Sequence, residues 1–111
     1  MKLEFTECAK NAIIVGLPME NLDAGNVKAF RDEIQTVVNQ HDTLLIDMSP
    51  LNFVDSSGLG ALLSCLRAMN SKNGQLRLFG MTKPVKALFE LVRMHRIFAI
   101  YASREEALEE L

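Results

Sequence analysis

Apolar positions along this chain change their period several times, and each change marks an element. In "KLEFT", Leu3 and Phe5 alternate with polar residues, and "AIIVGL" is a denser apolar run. The polar turn "CAKN" between them predicts an antiparallel hairpin. After the loop "PMEN", Val27, Phe30, Ile34, Val37 and Val38 recur at helical spacing, with Asp23 or Asn26 able to cap the start and His41 and Asp42 at the close. "TLLIDM" is almost wholly apolar, so a strand covered on both faces is expected. "SPLNFV" leads into a helix whose core stripe is Leu59, Leu62, Leu63, Leu66 and Met69, and "NSKNG" ends it with Gly74 at the exit. "QLRLFG" reads as a strand. "TKPVKALFELVRM" reads as a helix with Pro84 in its first turn and Val85, Leu88, Phe89 and Val92 inward. "IFAIYA" is the last strand. Ser103 and Glu106, at capping-box spacing, open a short terminal helix over "SREEALEEL".

The expected order is therefore β-β-α-β-α-β-α-β-α, an α/β fold. Three strand–helix–strand units call for parallel pairing with right-handed crossovers, and the first hairpin adds an antiparallel edge. At 111 residues, the span 1–111 is expected to form a single domain.

Composition narrows the function classes. Hydrophobic residues make up 49% and charged residues 23%, the balance of a globular chain. The apolar runs are too short to span a bilayer, and "MKLEFTECAK" lacks the apolar core of a signal peptide. A cytoplasmic location without membrane association is the expectation. The formal net charge is −2, with Lys and Arg scattered, so nucleic acid is not an expected partner. Cys8 and Cys65 stand far apart in no CxxC pattern and are expected to be reduced. His41 and His95 are the only histidines, and no clustered ligand set suggests a metal site.

The candidate chemistry lies in "LNFVDSSGLGALL", where a helix opens with Asp55, Ser56, Ser57, Gly58 and Gly60. Glycine inside a helix costs about 1 kcal/mol relative to alanine. Capping explains Asp55 and one serine, but not two glycines. A Walker loop would need Lys after a glycine, and a dinucleotide loop would need three glycines without Asp55 facing the phosphates. A hydrolase elbow would need glycine two residues before the serine, where Ser57 has Asp55 and Ser56 has Val54. What fits better is a surface shaped for another protein. A helix N-terminus tolerates a phosphate, and small side chains allow close approach. Spacing alone does not choose between Ser56 and Ser57.

"LLIDMSPLNFVDSSGLGALL" resembles the signature of the STAS domain, in its anti-sigma factor antagonist branch. "NLDAGNVKAF" is similar to an upstream segment of that family, and "KPVKALFELVRMHRIFAIYASREEAL" to its C-terminal third. The resemblance implies a small mixed sheet with helices mainly on one side, and a protein that is not an enzyme and needs no cofactor. It implies binding to a serine kinase of the histidine-kinase-like ATPase fold, an anti-sigma factor, which phosphorylates Ser56. A phosphatase of the PP2C type would remove the phosphate. Asp55 would orient the hydroxyl or lie near the kinase's Mg-ATP, and Ser57, Gly58 and Gly60 would form the contact surface. Leu59 would anchor the helix, and Asp23 would lie near the acceptor. A second reading within the same family is a non-phosphorylated subunit that binds the ATPase of an ABC-type lipid transporter.

Overall fold

The computed structural model describes residues 1–109 and 111. Its main sheet has the order β1-β2-β4-β6-β7. β1 (Glu4–Glu7) pairs antiparallel with β2 (Ala12–Gly16), the expected hairpin. β2, β4 (Thr43–Asp47), β6 (Gln75–Phe79) and β7 (Ala99–Tyr101) run parallel, as the strand–helix alternation requires. The helices α1 (Val27–Val38), α2 (Ser56–Ser71) and α3 (Lys83–Leu91) share one core with Ile13, Val15, Leu44, Ile46, Leu76 and Leu78. The short α4 (Arg104–Leu108) closes the other face over Ala12, Ile14, Leu45 and Phe79. β4 is thus covered on both sides, which explains its unbroken apolar run. Phe30 and Phe89 are fully buried, each contributing roughly 2–3 kcal/mol in area terms.

Two further strands arise where the sequence suggested only loops. β3 (Asn21–Leu22) and β5 (Phe53–Val54) pair in parallel as a separate two-stranded ribbon. Segments so short carry no readable period, and their partners lie about thirty residues apart. The last strand is trimmed to Ala99–Tyr101, because Met94–Arg96 forms a 3-10 turn before it. In α2 the fully buried residues are Gly58, Ala61, Leu62, Cys65 and Met69, while Leu59, Leu63 and Leu66 are half-buried against the same core. The stripe is therefore rotated toward the small residues, because α1 packs beside α2. Val92, expected inward, is exposed just past the end of α3.

Helix ends follow the local signals in part. Pro84 sits in the first turn of α3. The Ser103 hydroxyl accepts from the Glu106 N–H at 3.2 Å, and the Glu106 carboxylate accepts from Ala102 N–H. Glu110, inside the expected terminal helix, lies outside the described residues. Arg77, buried on the α4 side, donates to the carbonyls of Ala107 and Glu109 and so fastens α4 to the sheet. Cys8 and Cys65 are both free thiols. Burial pushes the Cys65 thiol up to about 12, so it packs as a small apolar group.

The C-terminal end of α1 is closed from a distance. His41 is buried, with Nδ1 2.9 Å from the Val37 carbonyl and Nε2 2.7 Å from the Glu7 carboxylate. Lys72 donates to the carbonyls of Val38 and His41. Two acceptors facing one ring favour the imidazolium, which donates from both nitrogens. Burial opposes that charge, and Lys72 repels it. The bonds to Glu7 and Val37 outweigh both and raise the His41 pKa above its ordinary 6.5. The raised value fixes the sign of the linkage: this stabilisation is complete below the unfolded pKa and is lost as pH rises through the folded one. Denaturant titrations should show a larger stability gap between wild type and His41→Ala in mildly acidic than in mildly alkaline buffer. A gap that grows with pH would contradict the charged assignment.

Candidate functional site

Asp55 is the N-cap of α2, with extended backbone, and its side chain accepts from the Gly58 N–H at 2.9 Å. A cap of this kind satisfies one donor of the open first turn. Its second oxygen accepts from the Ala24 N–H at 3.0 Å, in the loop after β3. One carboxylate therefore ties two chain segments together. The Gly58 N–H holds the Asp55 carboxyl below the usual carboxylate range; partial desolvation opposes this, and the Ala24 N–H adds to it. The group is anionic at neutral pH.

The β3–β5 ribbon sets that geometry. Asn52 N–H donates to the Glu20 carbonyl at 2.7 Å, and Asp55 N–H to the Leu22 carbonyl at 3.2 Å. Gly58 then passes directly over Leu22: a Cβ at position 58 would lie 2.2 Å from the Leu22 carbonyl oxygen. This is the reason for the first glycine. Expected on the contact surface, Gly58 is instead buried, and its role is to let β3 and α2 approach. Gly60 is different, since a Cβ there would meet only an Arg31 side-chain nitrogen at 3.8 Å.

The remaining candidates group around this joint. Ser56 is the exposed first residue of α2, and Ser57 is half-buried. The Ser64 hydroxyl bonds the Gly60 carbonyl and the Ser71 hydroxyl the Ala68 carbonyl. Among the described residues, the hydroxyls of Ser56 and Ser57 make no such bond. Leu59 packs half-buried against the main core. Asp23 accepts from the Gly25 N–H at 2.9 Å, and its own N–H donates to the Asn26 side chain at 3.0 Å. Asn26 is the N-cap of α1, but its side chain turns back to Asp23 and Asn21 rather than capping the helix. The structure thus brings the Asp23 loop to the start of α2 through the Ala24–Asp55 bond.

Phe53 is a neighbour that sequence reading passed over. It is 53% exposed, one residue before the Val54–Asp55 step. The signal was an aromatic residue in the short connection "SPLNFV". Among the described residues, no group of three or more His, Cys, Asp and Glu side chains could hold a metal ion, and no helix is long and apolar enough to cross a membrane.

Asp55→Ala removes both acceptors, frees the Ala24 loop and should lower the thermal midpoint. Because the folded pKa is depressed, the contribution is present above the unfolded carboxylate pKa and fades as pH falls through the folded one. The gap between wild type and Asp55→Ala should therefore narrow in strongly acidic buffer. A gap independent of pH would show that the carboxylate charge is irrelevant.

Comparison with known proteins places this architecture. An anti-sigma F factor antagonist of Paenibacillus polymyxa is 32% identical over 72 residues, 65% of this chain and 62% of that protein's length. Among solved structures, an anti-sigma-factor antagonist (STAS) domain protein from Planctomyces limnophilus is 16% identical, covering 96% of this chain and 94% of that one, with a TM-score of 0.87. The anti-sigma factor antagonist SpoIIAA in its unphosphorylated form is 23% identical over 97% and 94% of the two chains, with a TM-score of 0.80. The phosphorylated Bacillus SpoIIAA is 22% identical, covers 97% of each chain and gives 0.73. At these identities the structural likenesses speak for the fold alone. The profile of the STAS domain matches residues 6–107, nearly the whole length, and the chain belongs to the STAS domain family.

Proposed function

We propose that this chain is an anti-sigma factor antagonist, a protein-binding switch operated by phosphorylation of Ser56. Unphosphorylated, it binds a serine kinase of the histidine-kinase-like ATPase fold that is itself the anti-sigma factor; phosphorylated, it is released. A PP2C-type phosphatase restores the binding form. The chain acts by binding and not by catalysis.

The observation that carries this reading is the setting of Ser56. Its side chain is exposed at the first position of a 16-residue helix whose cap is supplied by Asp55. A kinase can reach that hydroxyl without unfolding anything, and a phosphate at a helix N-terminus meets the positive end of the dipole. Ser57, half-buried, is less open to a kinase active site. The 32% identity to an anti-sigma F factor antagonist over 72 residues supports the antagonist reading. Asp23, Asp55, Ser57 and Gly60 would form the polar part of the contact surface, with Leu59 anchoring the helix beneath them. Phe53 would add an apolar anchor, since buried aromatics dominate interface energies.

Affinity capture with wild-type and Ser56→Ala baits tests the proposal. Both should retain an ATPase partner, and intact-mass analysis should find phosphate on the wild type only. Capture of a membrane transporter ATPase, with no phosphate on either bait, would favour the transport-subunit reading. Phe53→Ala should keep its folding midpoint and weaken capture about tenfold or more, the size of one interface hot spot. Undiminished capture would remove Phe53 from the surface.

A further inference from the structure

Arg31 is an exposed cation on the side of α1 that faces α2, and its surroundings hold no countercharge. Its neighbours one turn away on α1 are Val27, Lys28, Ile34 and Gln35, none of them acidic. A groove of about 200 Å³ separates the two helices, walled by Arg31, Ile34 and Gln35 against Ala61, Ser64 and Cys65, again without a carboxylate. Of the two acids that follow Arg31 in sequence, Asp32 pairs with Lys28 at 3.2 Å and Glu33 accepts from the Leu3 N–H at 2.7 Å. Among the described residues, Arg31 takes part in no ion pair.

The guanidinium lies close to the start of α2. One of its terminal nitrogens is 3.8 Å from the place a Cβ on Gly60 would take. Gly60 follows Ser56 by one helical turn, on the same face. Cβ positions at that spacing are about 6 Å apart, which puts the nitrogen no more than about 10 Å from the Ser56 Cβ before either side chain moves. A phosphate would lengthen the serine toward it, and the arginine is long and free to turn. With no side chain at Gly60, the path between them is clear. Asp55, the nearest carboxylate in the chain, is already held by the N–H groups of Gly58 and Ala24.

We propose, with Ser56 as the acceptor of the phospho-switch, that Arg31 is the in-chain partner of the phosphate: on modification its guanidinium turns across Gly60 and pairs with the phosphate oxygens. Such pairs are charge-assisted and can be bidentate. The pair offsets the repulsion from Asp55 and ties α1 to α2 in the modified form only.

The test uses the whole chain with phosphoserine built in at position 56 during synthesis, so no kinase is required. Phosphorus NMR titration reads the second ionisation of the phosphate. Its midpoint with Arg31 present should lie about half a pH unit or more below that with Arg31→Gln, because a nearby cation favours the dianion. Arg31→Lys should restore most of that shift. Arg31 and Arg67 are exposed, so their variants keep the fold. Arg67→Gln removes the same charge about 16 Å further along α2 and should leave the midpoint unchanged. Equal midpoints with Arg31 and with Arg31→Gln, or an equal change in Arg67→Gln, would overturn the pairing and leave Ser56 as the acceptor. Failure of the Ser56 switch itself would show separately, as label entering Ser56→Ala from the kinase.

Discussion

Gly58→Ala is expected to destabilise the domain by about 2–4 kcal/mol, although alanine is the better helix former. Helix propensity alone predicts the opposite sign, a gain of about 1 kcal/mol. The contact with β3 reverses it. An added Cβ would lie 2.2 Å from the Leu22 carbonyl oxygen, 2.9 Å from its carbonyl carbon and 3.0 Å from its Cγ. The obstacle is backbone, and that carbonyl also accepts the Asp55 N–H. Relief requires moving the β3–β5 ribbon or the first turn of α2, and either movement strains the Asp55 bonds to Gly58 and Ala24. Gly60→Ala is the control. With only Arg31 nearby, at 3.8 Å, it should be neutral or gain up to about 1 kcal/mol. Urea titration of both variants measures the contrast, and equal stabilities would refute the close-approach explanation.

Ser56→Ala should abolish phosphate transfer from the kinase while leaving the folding midpoint and partner capture intact. Ser57→Ala should still accept phosphate. Label entering Ser56→Ala as fast as wild type would move the acceptor elsewhere. The phosphorylated form should remain folded but lose about 3 kcal/mol of partner affinity, roughly a hundredfold. The asymmetry has a physical origin. In the free chain, a phosphate of −1.5 to −2 charges stands beside Asp55 but is hydrated, and the helix end offsets about 0.3–1 kcal/mol. In a closed interface the same charge must shed its water next to a second carboxylate. Ser56→Asp carries less charge and should weaken binding in the same direction by less. Calorimetry with the purified kinase and thermal melts of the modified chain separate the two effects. Melting of the fold on modification, or unchanged affinity, would defeat this account.

The legible parts of the structure share one property: they are determined by near neighbours. The period of Val27, Phe30, Ile34 and Val38 depends on a single helix turn. The run of β4 depends on its two covered faces, and the Ser103–Glu106 cap spans three residues. Asp55 as the cap of α2 is readable for the same reason. Gly74 is legible only in part. It follows a helix exit as expected, but the left-handed residue is Asn73, and Gly74 is small because a Cβ would sit 2.7 Å from the Asp42 carbonyl.

By itself, the sequence determined the order of the main elements, the parallel sheet with its antiparallel edge, the family, and the helix that opens at Asp55. Tertiary structure alone decided what that opening is made of: the β3–β5 ribbon, the bond from Ala24 to Asp55 and the buried place of Gly58 under Leu22. The reason is range. Periodicity and capping act over three or four residues, whereas Ala24 and Asp55 are separated by 31 and meet only after the sheet has brought β3 beside β5.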